Sequence, residues 1–190
     1  AASMGIVEGA AHKVAFECYY LMSFATEPMF TAANSLIPRD LKIAHSRAAK
    51  LCRLLLTSAV SIGLVLAGLS MIALRSSLFS PDPQVLHALA AISPALAVML
   101  LASSVVYTVE GILVGIEDIN YLTTVHCCNF GIMMAYSVVV KRFSLGMQGM
   151  WWGLAFYQCL RLVEHGIRFA VTRPFSPEDH RALEPLAALQ

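Results

Sequence analysis

The sequence predicts an all-α membrane protein of five transmembrane helices, and three observations carry that prediction. Hydrophobic residues make up 58% of the 190-residue chain and charged residues only 13%, about half the charged share of an ordinary soluble domain. Apolar runs recur at the length a bilayer demands, since about 20 residues rising about 1.5 Å each cross a hydrocarbon layer about 30 Å thick. Small residues spaced four apart sit on three of those runs, as close helix contact in lipid requires.

Each span follows from its residues. The run 14–37 is the weakest, because Glu17 and Glu27 lie inside it. The run 54–74 is uninterrupted and flanked by Arg53 and Arg75. The run 85–116 is longer and contains Pro94 and Glu110, so it is expected to tilt or kink. The run 119–140 closes on Lys141 and Arg142, and 146–170 completes the set. Between the first two spans lies a basic amphipathic connection, 38–53. The segment 76–84 reads as a turn with two prolines in which Asp82 or Ser80 caps the next helix. Residues 173–190 form a polar tail. Gly111 with Gly115 and Gly149 with Gly153 both fit GxxxG, and Gly63 pairs with Ala67. Trp151 and Trp152 suit packing or anchoring at the membrane interface.

Charge placement orients the bundle. Arg39, Lys42, Arg47, Lys50, Arg53, Arg161, Arg168, Arg173 and Arg181 fall on one side, against Lys13, Arg75, Lys141 and Arg142 on the other. That excess puts the 38–53 connection and the C-terminus in the cytoplasm, stroma or matrix. The chain starts with Ala rather than Met and carries no secretory signal pattern, and it reads as a fragment or processed product.

Several function classes fall away. A net charge of +1 without a lysine-rich block gives no footing for nucleic acid. The five cysteines have no metal-ligand spacing and read as small apolar residues. No GxSxG, HExxH, Walker loop or GxGxxG occurs, so neither a soluble enzyme nor a bound cofactor is expected.

The acids are the candidate chemistry. An ionised carboxylate near the bilayer centre costs about 2.5–3.5 kcal/mol on insertion scales, so it faces a cavity, pairs with a cation or takes a proton. Glu110 lies about two turns inside the end of its span and is the first candidate for coupling to H+ or Na+. Its ordinary reading is a bond to a neighbouring helix or to the interface. Glu27 precedes Pro28 near the middle of its span, where an irregular helix with a freed carbonyl suits a cavity wall. Tyr107 and His126 are candidate cavity residues, with packing as the alternative; the imidazole titrates near neutral pH. Asp118 is expected to cap the following helix. An intramembrane acid–base pair of Glu110 with His126 is a rival that requires the two to meet.

On these residues the chain resembles the C-terminal half of a multidrug and toxic compound extrusion (MATE) transporter. Ala10-Ala11-His12 resembles the opening of that family's eighth helix. Glu27-Pro28, Ala33, Ser35 and Pro38 look more like its plant plastid-envelope branch, which includes salicylate-pathway exporters. Glu110, Gly111, Gly115 and Asp118 fall on the tenth-helix pattern of acid, Gly, Gly and Asp. The run Gly146, Gly149, Trp151, Gly153 resembles the opening of the twelfth helix. The likeness covers residues 1–172. It departs where Glu110 replaces the Asp of bacterial members, Lys13 replaces Gln, and Glu117 replaces a basic residue.

The resemblance implies a two-lobe secondary antiporter exporting a small organic solute or xenobiotic in exchange for H+ or Na+. This chain would supply helices 8 to 12, and its partners would be the bilayer, the solute and the N-terminal lobe. An acid on the tenth helix takes part in cation coupling in some members, and Glu110 holds that position. The expected location is the plastid envelope, or else the plasma membrane or another organelle membrane. The alternative is a membrane assembly subunit whose acids pair with partner helices.

Overall fold

The computed structural model describes residues 5–77 and 79–175. They form six helices and, among the described residues, no strand: α1 (Ile6–Ser23), α2 (Glu27–Leu41), α3 (His45–Ala73), α4 (Pro83–Gly115), α5 (Ile119–Arg142) and α6 (Gly146–Thr172). Among them α3, α4 and α5 are long and apolar enough to cross a membrane. The polar tail at 173–190 falls almost wholly outside the described residues.

The expected single span 14–37 is two helices, interrupted at 24–26. Had one helix run through, Pro28 would lack an amide hydrogen for the carbonyl four residues back and its ring would press on that carbonyl. The break instead places Pro28 in the first turn of α2, where its missing N–H costs nothing. Thr26 steadies the turn by donating its hydroxyl to the Ser23 carbonyl at 2.7 Å. The chain nonetheless keeps its heading: Tyr19 lies beside Ser103 and Tyr107, Ala33 beside Gly111, and Pro38 beside Gly115. The basic connection 38–53 shrinks to the turn at 42–44, with its flanks inside α2 and α3.

The remaining boundaries follow local chemistry. Asp82 caps α4, its Oδ1 accepting from the Gln84 N–H at 2.8 Å, while Ser80 Oγ accepts from the Asp82 N–H at 3.1 Å. Helix α4 continues through Pro94 without a break. It closes at Glu117, whose φ of 63° is left-handed. The Asp118 N–H reaches the Leu113 carbonyl at 2.9 Å and the Glu117 N–H the Val114 carbonyl at 3.0 Å, the paired bonds of a Schellman stop. Ser144, at φ 49°, ends α5 the same way.

Helix α4 is the hub, packed against α1, α2, α3, α5 and α6. One core joins Ala11, Ala15, Leu89, Ile92, Leu96 and Trp151; smaller clusters pack α2 and α3, and α5 and α6, on the last turns of α4. A Cβ on Gly111 would meet the Phe30 carbonyl at 2.5 Å, and one on Gly115 would meet Pro38 at 3.1 Å. This pair is where α2 seats on α4. The Gly149–Gly153 pair works differently. The Tyr136 ring occupies the space over Gly153, and Leu145 rather than another helix covers Gly149. Tyr136 donates its hydroxyl to the Gly149 carbonyl at 2.8 Å. Trp151 is fully buried and meets His12 edge-on at 5.8 Å, so of the two tryptophans only Trp152 faces outward. On α5, Phe130 and Val138 are 69% and 67% exposed.

A buried carboxylate ringed by nitrogen donors

The last two turns of α4 carry Glu110, which is only 8% exposed. Its partners come from the facing sides of α5 and α6. Arg161 donates through Nη2 to Glu110 Oε1 in a short charge-assisted contact. His165 Nε2 lies 3.0 Å from the same oxygen, and His126 Nε2 lies 3.4 Å from it. One carboxylate oxygen therefore gathers a guanidinium and two imidazoles from two helices.

Helix periodicity explains how α6 supplies so many groups. Gln158, Arg161, His165 and Arg168 are spaced three, four and three apart, which keeps them on one face. Arg161 also donates through Nη1 to Gln158 Oε1 at 2.9 Å, and its guanidinium lies over the rings of Tyr157 at 5.2 Å and Tyr107 at 5.8 Å. Gln158 Nε2 donates to the Tyr19 hydroxyl at 3.4 Å. That hydroxyl meets Tyr107 Oη at 3.4 Å and Ser103 Oγ at 3.3 Å. Toward the other end, His165 Nδ1 lies 3.1 Å from the Tyr121 hydroxyl. Arg168 then donates to both oxygens of Asp118, at 2.7 and 2.9 Å. A polar seam thus runs from Ser103 to Asp118 between otherwise apolar helices.

Of the residues singled out from sequence, Glu110, Tyr107 and His126 meet in this seam. Glu27 does not. It is exposed in the first turn of α2, where a negative charge complements the helix dipole. Asp118 stands at the start of α5 but makes no side-chain cap there; its carboxylate is engaged by Arg168 instead. Arg161, counted above with the cytoplasmic cations, is 6% exposed within α6 and belongs to the interior. Arg161 and His165 were missed as site residues, though their spacing with Gln158 and Arg168 marks a polar stripe on an apolar helix. Glu164 is a further unforeseen acid, accepting from Asn129 Nδ2 at 2.7 Å.

Chemically, the cluster can hold a negative charge out of water and can exchange protons at the imidazoles. Glu110 and His126 approach to 3.4 Å without a hydrogen bond between them, longer than an acid–base pair needs, and the carboxylate is shared with Arg161 and His165. Among the described residues no group of three or more His, Cys, Asp or Glu side chains is placed so as to hold a metal ion. No family model, curated protein or solved structure matches the chain.

Proposed function

We propose that this chain is most of the C-terminal lobe of a MATE-type secondary antiporter, with Glu110 as its coupling carboxylate. The observation that supports this reading is a buried acid at the crossing of α4, α5 and α6 in contact with two titratable imidazoles. The broad apolar faces of α3 and α5 fit a multi-pass membrane protein, in the plastid envelope or another organelle or plasma membrane. The exported solute is a small organic molecule, and a complementary N-terminal lobe supplies the other wall of its path. On its own, one lobe encloses no such path and does not transport.

Within that reading, H+ fits the site better than Na+. Sodium seeks several oxygen ligands, whereas Glu110 is surrounded by N–H donors and a permanently charged guanidinium that repels a second cation. A proton needs only the carboxylate itself, and imidazoles stand beside it that can carry one.

The test is solute efflux driven by a pH gradient, in proteoliposomes holding this lobe joined to its complementary lobe. Glu110→Gln is expected to abolish both efflux and the coupled proton flux. Undiminished, gradient-driven efflux in that variant would remove Glu110 from coupling. The competing assembly-subunit reading expects an acid left over for a partner's helix, whereas Glu110 has its counter-charge within its own chain.

A further inference from the structure

Two imidazoles touch the same oxygen of Glu110 but differ in access. His126 has 41% of its side chain exposed on the open side of α5, and His165 is completely buried between α4, α5 and α6. Resting on the proton-coupled reading above, we propose that they are the two arms of a proton relay: His126 serves Glu110 from the open face, and His165 with Tyr121 connects it to the end of the bundle.

The geometry supplies hydrogen bonds along the sealed arm and a 3.4 Å approach of His126 Nε2 to Glu110 Oε1 on the open one. His165 is engaged at both nitrogens, 3.0 Å from Glu110 Oε1 and 3.1 Å from the Tyr121 hydroxyl. An imidazole held in this way can accept a proton at one nitrogen and release one from the other. Tyr121 lies in the first turn of α5, beside the turn at 116–118. Its ring is fixed beneath Arg168 at 5.0 Å, and Arg168 is itself locked to Asp118 by two bonds. The charged and titratable groups around Glu110 are Arg161 and His165 from α6, His126 from α5, and Tyr107 on α4 with Tyr19 of α1 behind it. Helices α2 and α3 pack on other faces of α4, at Gly111, Gly115 and Ser104. Arg161 keeps its proton throughout, so it balances the charge of Glu110 and carries nothing.

The steps balance without another reactant. A proton added at His126 Nδ1 makes an imidazolium, whose Nε2 proton passes to Glu110 Oε1 and leaves a neutral ring. From the other end, Tyr121 Oη passes its hydroxyl proton to His165 Nδ1 as another proton reaches that oxygen at the end of the bundle. The resulting imidazolium passes its Nε2 proton to Glu110 Oε1, leaving a neutral ring. Resetting requires His165 and Tyr121 to return to their starting tautomer and rotamer. Glu110 is thus reached by one route through an exposed ring and by another through a sealed one, the asymmetry that alternating access needs.

The experiment follows protonation of Glu110 in the whole chain in nanodiscs, by the infrared carbonyl band that Glu110→Gln removes, after a jump from about pH 8 to about pH 3, below the ordinary carboxylate range. His126→Gln keeps a hydrogen-bonding side chain but cannot carry a proton, and is expected to slow protonation by roughly tenfold or more. Tyr121→Phe keeps the ring beneath Arg168 and alone is expected to change the rate by less than about twofold, because the open arm remains. The double variant is expected to be slower than His126→Gln by roughly another tenfold. A wild-type rate in His126→Gln overturns the open arm, and a double variant no slower than His126→Gln overturns the sealed one. Circular dichroism and elution volume check that each variant folds. The antiporter reading is judged separately, by efflux in Glu110→Gln: efflux lost with relay kinetics unchanged sinks the relay alone. A band that never appears sinks the relay together with proton coupling at Glu110.

Discussion

Arg161 of α6 and Glu110 of α4 are 51 positions apart in sequence and form a buried ion pair at the centre of the polar seam. Two desolvated charges of this kind stabilise little as a pair, yet removing one strands the other. Glu110→Gln and Arg161→Gln are each expected to destabilise the chain by about 3–5 kcal/mol. The double variant should recover much of that loss, because neither charge is then left unmatched. Unfolding in mixed micelles measures all three. Additive single losses would show that the pair is not coupled.

Gly111 and Gly131 offer a matched comparison on neighbouring helices. An added methyl at Gly111 has the Phe30 carbonyl at 2.5 Å and Ala33 at 3.0 Å, whereas at Gly131 it meets nothing within 4 Å. Gly111→Ala should lift α2 off α4 and cost about 1–3 kcal/mol. Gly131→Ala should be neutral or stabilising by up to about 1 kcal/mol, through better helix propensity. Equal effects in thermal unfolding would contradict the seating of α2.

Glu117 closes α4 at φ 63°, a conformation that costs an L-residue roughly 1–2 kcal/mol. Glu117→Gly should therefore raise stability by about 1 kcal/mol, partly offset by the greater freedom of glycine in the unfolded chain. Glu117→Val, branched at Cβ, should lower it. A melting temperature that ranks these variants in the opposite order would rule out a strained turn.

Thiol accessibility checks the placement of α5. Cys127 and Cys128 are exposed on the helix surface while Cys18 and Cys52 are buried. If α5 crosses lipid, a water-soluble maleimide should leave all four unmodified in sealed vesicles and modify them after denaturation in detergent. Fast reaction of Cys127 and Cys128 in intact vesicles would place that stretch of α5 in water.

Much of the helical layout was legible in the sequence, because long apolar runs and their flanking charges mark α3, α4 and α5 to within a few residues except at the start of α3. The cap at Asp82 and the close approach at Gly111 and Gly115 were also readable, since both depend on local spacing. The break at 24–26 was not, because proline is compatible with either a distorted span or a helix start, and only packing along α4 decides between them. The site was half legible. Glu110 is conspicuous as an acid in an apolar run, whereas Arg161 sits late in its helix and was assigned to the membrane edge by charge counting alone. Its inward direction depends on how α6 is turned, and that is set by contacts more than 50 positions away in sequence.

The stripe on α6 has a mechanical consequence. Gln158, Arg161, His165 and Arg168 engage α1, α4, α5 and the α4–α5 turn over about 15 Å of helix length. Rotating α6 by a single residue, about 100°, would unseat all four at once, like a key with four cuts lifted from its lock. Intermediate angles offer no partial fit, so α4 and α6 must travel as one shaft. Whatever bending this bundle undergoes is then pushed to the places where the polypeptide is already interrupted, foremost the three residues between α1 and α2.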